Sequence, residues 1–151
     1  MNDNHIKYMK IAINEAKKAG QKAEVPIGAV LVAENGEILS ETHNQTITLN
    51  DPTAHAEILA IREGTQKTQN YRLLNTTLYV SIEPCIMCMG AIVHARISKL
   101  VFGARDPKWG GAGSLYNFAT DNRLNHRVEV IEGVCEGKCR SLIHKFFRQK
   151  R

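Results

Sequence analysis

His55-Ala56-Glu57 and Glu83-Pro84-Cys85-Ile86-Met87-Cys88 are the two stretches of this sequence whose side chains could do chemistry together. Cys85 and Cys88 stand three residues apart, so on a helix they share one face. His55 can add an imidazole nitrogen from a second helix. One nitrogen and two sulfurs make a donor set suited to zinc. The ligand count decides what such a metal does: structural zinc is closed by four protein ligands, whereas catalytic zinc keeps three and leaves a position for water. A fourth ligand is hard to find, because Cys135 and Cys139 lie far down the chain. Glu57, two residues beyond His55, is read as the carboxylate that handles the proton of a metal-activated water. Taken alone, each pattern has a plainer reading. A Cys-x-x-Cys pair can be a redox motif, and a histidine at a helix start is usually a cap or surface residue. Their combination on two helix starts points to a metal-assisted hydrolysis.

The elements that must position these residues follow from periodicity and turn signals. Residues 4–19 are expected to be helical, with Ile6, Met9, Ile13 and Ala16 at three- and four-residue steps and Gly20 as the stop. Residues 26–33 form an apolar run of strand length, and 37–43 would be its hairpin partner across Asn35-Gly36. Asp51-Pro52-Thr53 is expected to open a helix reaching about Gly64, with Asp51 as its cap. Residues 76–82 read as a buried strand, and Pro84 starts a helix through about Ala95. Strands at 98–103 and 127–132, a glycine-rich loop at 104–113 and a last helix from about Gly137 complete the chain. That order predicts an α/β fold: a single three-layer α/β/α domain over residues 1–151, built on one mixed sheet. Both chemical stretches fall at helix N-termini, where free N–H groups and the helix dipole favour thiolates and developing negative charge.

Composition narrows the classes of protein. Ile, Leu, Val and Phe make up about a quarter of the 151 residues, too many for a disordered chain. The longest apolar stretches fall far short of a membrane span, and the N-terminus has no apolar signal core, so a soluble cytoplasmic protein is expected. The net charge is +5, which suits either a solvated basic surface or a polyanionic partner. The segment 142–151, LIHKFFRQKR, is basic and carries Phe146 and Phe147, which could stack bases or dock on the sheet. Cys135 and Cys139 are expected to be unligated thiols, and His94 a plain helix residue.

His-x-Glu followed by Pro-Cys-x-x-Cys resembles the signature of zinc-dependent nucleobase deaminases. Further stretches narrow the resemblance: Asn70-Tyr71-Arg72-Leu73, Val101-Phe102-Gly103-Ala104-Arg105-Asp106, Gly113-Ser114-Leu115, Asn125-His126-Arg127-Val128 and Phe146-Phe147-Arg148. From about Val25 to the C-terminal helix the chain is similar to bacterial tRNA-specific adenosine deaminases, of the cytidine-deaminase-like fold. The resemblance implies a five-stranded sheet, a homodimer, and one Zn2+ per subunit held by His55, Cys85 and Cys88, with Glu57 as proton shuttle. It implies that Asn44 holds the purine and that the Ala56 and Cys85 backbone N–H groups meet developing charge. It implies that Asp106, Lys108, Asn125, Phe147 and Arg148 face the anticodon stem-loop of a tRNA. The reaction expected is hydrolysis of the wobble adenosine to inosine, in tRNA-Arg with an ACG anticodon. Trp109 departs from the family pattern, and its role stays open. Two rivals remain: a deaminase of free guanine or cytosine with the same fold, and a non-catalytic RNA-binding module with structural zinc.

Overall fold

A computed structural model describes residues 2–150 of the chain. Four helices and five strands follow in the order α1 (Asp3–Gln21), β1 (Gly28–Val32), β2 (Ile38–His43), α2 (Ala56–Thr68), β3 (Thr77–Ile82), α3 (Ile86–His94), β4 (Lys99–Ala104), β5 (Glu129–Ile131) and α4 (Glu136–Gln149). The sheet runs β2-β1-β3-β4-β5. β1 pairs antiparallel with both β2 and β3, while β3, β4 and β5 are parallel. This is the expected mixed five-stranded sheet in a single α/β domain.

Every residue of β1 is buried because helices cover both sheet faces. Alternate side chains divide accordingly. Ala29 and Leu31 join Leu78, Val80, Leu100 and Phe102 in the core under α2 and α3. Val30 and Val32 join Tyr79 and Val101 in the core under α1 and α4. Helix α1 buries Met9, Ala12, Ile13, Ala16 and Ala19, one stripe at helical spacing. It comes so close to the sheet that a Cβ on Gly28 would stand 1.9 Å from the Ala12 carbonyl oxygen. Among the described residues, no helix is long and apolar enough to cross a membrane.

Two local expectations are corrected. Helix α2 begins at Ala56, not at Asp51, and its N-cap is His55 in an extended conformation. Asp51 caps a turn instead: its Oδ1 accepts from Thr53 N at 2.9 Å and Thr53 Oγ1 at 2.7 Å. The aspartate side chain satisfies its own loop, leaving the helix to be capped from elsewhere. Likewise α3 starts at Ile86 with Cys85 as N-cap, two residues after Pro84. The β1–β2 hairpin turns at Gly36, which takes φ +90°, and the register slips by one between Leu31 and Val32.

Candidate metal centre and active site

Two helix starts meet at one point. The N-cap residue of α2, His55, points its Nδ1 to within 3.4 Å of Cys88 Sγ and 3.7 Å of Cys85 Sγ. The three donor atoms all lie within 4.8 Å of one another. Because His55 and Cys85 are extended caps, not helical residues, their side chains turn away from their helices toward each other. Cys88 comes from the first turn of α3 and is fully buried. Among the described residues this is the only group of three or more His, Cys, Asp or Glu donors close enough to share an ion. Two soft sulfurs and one imidazole nitrogen, with no fourth side chain, match an open zinc site.

The charges at this point are interdependent. The Cys85 thiol is held down to about 4, first by hydrogen bonding with Cys88 and then by His55, against the opposing effect of burial. That same contact with Cys85, together with burial, pushes the Cys88 thiol up. The hydrogen bond to Cys85 also raises His55 above its ordinary value. A cation among these groups would hold both sulfurs as thiolates.

Glu57 stands on the first turn of α2 with its side chain buried. Its Oε1 has no hydrogen-bond partner, and burial pushes the carboxyl up to about 7, opposed by the nearby His55. A buried, unpartnered carboxylate oxygen is expensive to keep and marks a place where a polar group is meant to sit. A carboxyl tuned near neutrality can both take and give a proton. The unpartnered oxygen beside a sulfur-nitrogen donor set is the observation that fits a bound metal with its water.

Asn44 follows β2 and is buried. Its Oδ1 accepts from the Ala56 N–H at 2.8 Å, so Asn44 supplies the cap that the α2 N-terminus lacks. Two consequences follow. The amide of Asn44 is oriented, with its N–H donors turned away from Ala56. The Ala56 N–H, expected to meet developing charge, is engaged by Asn44 in this structure.

The other expected residues lie farther out. Asp106 sits on the loop after β4, where its Oδ1 accepts from Lys108 N at 3.0 Å and Trp109 N at 3.3 Å. Lys108 and Trp109 are exposed, as is Asn125 on the connection to β5. On α4, Phe147 is exposed and Phe146 half-buried, with the two rings edge to face. A groove of about 490 Å³ beside α4 is lined by Arg140, His144, Phe147 and Arg148, among others. Among the described residues, no hydrogen bond joins Asn125, Phe147 or Arg148 to the central cluster. The last residue of the basic tail, Arg151, lies outside those residues. Cys139 is packed in the core against Gly103, and Cys135 caps α4.

Sequence reasoning passed over Glu83. Its buried carboxylate collects hydrogen bonds from the loop at 106–114. The available signal was an acidic residue closing an otherwise apolar strand, Thr77-Leu78-Tyr79-Val80-Ser81-Ile82.

Residues 2–104 match the family model described as the cytidine and deoxycytidylate deaminase zinc-binding region. The tRNA-specific adenosine deaminase of Haemophilus influenzae is 50% identical over 145 residues, covering 96% of this chain and 84% of the relative. That of Bacillus subtilis is 51% identical over 144 residues, covering 95% and 89%. Among solved structures, one from a study of A-to-I editing by tRNA:A34 deaminases at the wobble position of transfer RNA superposes with a TM-score of 0.87. It is 42% identical and covers 90% of this chain and 98% of its own.

Proposed function

We propose that this chain, which belongs to the cytidine and deoxycytidylate deaminase family and within it stands with the tRNA-specific adenosine deaminases, converts the wobble adenosine of a tRNA anticodon to inosine. The single observation that carries the reading is the buried, unpartnered Glu57 Oε1 beside the His55, Cys85 and Cys88 donors. One Zn2+ per subunit, held by those three side chains, would supply Lewis-acid activation of water.

The chain's own residues do the remaining work. Asn44 orients the purine through its amide N–H donors, held in place by the Ala56 N–H. Glu57 takes a proton from the attacking water and delivers it to N1 of the base as oxygen bonds to C6. It then takes the second proton from the new C6 hydroxyl and passes it to the departing amine, so that ammonia leaves as the C6 carbonyl of inosine forms. The Cys85 backbone N–H faces charge that develops at C6, while Ala56 contributes through its hold on Asn44. The burial of Glu57 keeps bulk water from competing for that proton.

Asp106, Lys108, Asn125, Phe147 and Arg148 are assigned to the anticodon stem-loop. Lys108 and Arg148 suit phosphate contacts, and Phe147 suits stacking on an unstacked base. The substrate is read as tRNA-Arg with an ACG anticodon, the assembly as a homodimer and the compartment as the cytoplasm. The experiment is nucleoside analysis of an ACG anticodon stem-loop after incubation with zinc-loaded protein. Inosine at the wobble position is expected; adenosine left intact there contradicts the proposal.

A further inference from the structure

Glu83 is the one charged residue of the Glu83–Cys88 stretch to which the proposed reaction gives no task. Its side chain is only 3% exposed, yet it carries a carboxylate. Oε1 accepts from the Asp106 N–H at 3.1 Å and from the Ser114 hydroxyl. Oε2 accepts from the Ala112 N–H and the Ser114 N–H, each at 3.0 Å. Four donors spread over nine residues of loop thus converge on one buried carboxylate. Both oxygens are used, which a neutral amide with a single acceptor oxygen could not reproduce.

The same loop is joined to the metal-ligand segment by its backbone. The Gly111 N–H donates to the Pro84 carbonyl at 2.7 Å, and Gly110 bridges antiparallel to Cys85. A Cβ on Gly110 would stand 2.4 Å from the Glu83 carboxylate, so only glycine allows this approach. The loop therefore has a base fixed to residues 83–85 and a tip, Lys108 and Trp109, that stands in solvent. Trp109 is 64% exposed.

We infer that Glu83 is a positioning residue: its buried carboxylate sets the 106–114 loop relative to the Cys85–Cys88 ligand turn, so that the loop tip meets RNA in a ready-made conformation. The inference rests on the reading above that this loop faces the anticodon. A loop held in its binding conformation before contact loses less freedom on binding, which improves affinity without adding contacts. Chemistry at Glu57 needs none of these hydrogen bonds. The effect therefore falls on RNA binding more than on the chemical step.

The test compares wild type with Glu83→Gln on the anticodon stem-loop. The variant is expected to keep wild-type zinc content, raise KM by about tenfold and change kcat by less than about threefold. Stem-loop affinity of the zinc-loaded proteins, measured in a Glu57→Gln background that blocks turnover, should weaken by a similar factor, and the Ala112 and Ser114 amides should exchange faster with solvent. Unchanged KM and unchanged affinity in the variant overturn the inference. So does a fall in kcat with KM intact, which would place Glu83 in the chemistry. Should Glu83→Gln fail to fold, Ser114→Ala removes one of the four bonds, the one from the hydroxyl, and must show a smaller loss weighted to KM in the same way, or the inference is wrong. Wild type that makes no inosine would refute the proposed reaction instead, and the exchange rates would still report whether Glu83 holds the loop.

Discussion

A carboxylate pushed up to about 7 by burial, with one oxygen unpartnered, is poised to accept and return a proton near neutral pH. Glu57→Gln keeps the shape and removes that capacity. Turnover should fall by about 10²–10⁴-fold with zinc content unchanged, read by inosine formation and metal analysis. A second buried carboxylate acts on stability instead. Burial alone would raise Glu24, but hydrogen bonds from Thr48, Ile47 and Thr46 outweigh it and hold the group below its ordinary 4.5. A depressed carboxyl contributes stability that is present above the unfolded value and lost as pH falls through the folded one. Glu24→Gln should therefore destabilise by about 1–3 kcal/mol at pH 7, and the gap to wild type should close as pH drops below about 4. Urea unfolding of both proteins across that range measures it. At this scale the gathering of His55, Cys85 and Cys88 was legible because their types and spacings are rare in combination. Glu24, Glu83 and the Asn44 cap were not, because their partners are loop N–H groups, which every residue but proline carries.

Helix starts decide the geometry of the site. α2 and α3 each begin on a candidate ligand residue in extended conformation, which lets His55 and Cys85 leave their helix axes and meet. The strands, the hairpin and the four helices were readable from periodicity and from Asn35-Gly36. The first turn of α2 was not. Asp-Pro-Thr satisfies its own backbone in a turn with the same chemistry that caps a helix, so the sequence looks alike in both cases. Helix α1 is seated on β1 through Gly28, where any Cβ meets the Ala12 carbonyl and the Ala16 nitrogen. Gly28→Ala is expected to destabilise by about 3 kcal/mol or more, since backbone must move. Gly137→Ala, in the first turn of α4 with no atom within 4 Å of its Cβ, should be neutral or stabilise by up to about 1 kcal/mol. Thermal melts of the two variants separate close approach from mere glycine flexibility.

Across the whole molecule the charge is uneven. α1 carries Lys7, Lys10, Lys17 and Lys18 against Asp3 and Glu15, and α4 carries Lys138, Arg140, Lys145 and Arg148 against Glu136. Their combined excess equals the net +5 of the entire chain. That these two helices share one face of the sheet is a tertiary fact that periodicity along the chain does not carry; it is visible in the core joining Met9 and Ile13 to Cys139 and Leu142. The side chains lining the groove of Arg140, His144, Phe147 and Arg148 suit RNA phosphates and bases. Removing residues 145–151 should weaken tRNA binding with little effect on zinc content. Arg148→Ala should lower the salt dependence of binding by about one phosphate contact. Filter binding over a salt series reads both.

Everything proposed for this metal centre turns on which substrate it deaminates. The most direct measurement is a deamination panel with zinc-loaded protein: tRNA-Arg with an ACG anticodon, its stem-loop, free adenosine, guanine and cytosine, with products read by nucleoside mass analysis. Inosine formed only in the two RNAs is the predicted result. Turnover of a free base with both RNAs left unedited would contradict it, and would assign the same metal centre and Glu57 to a deaminase of small substrates.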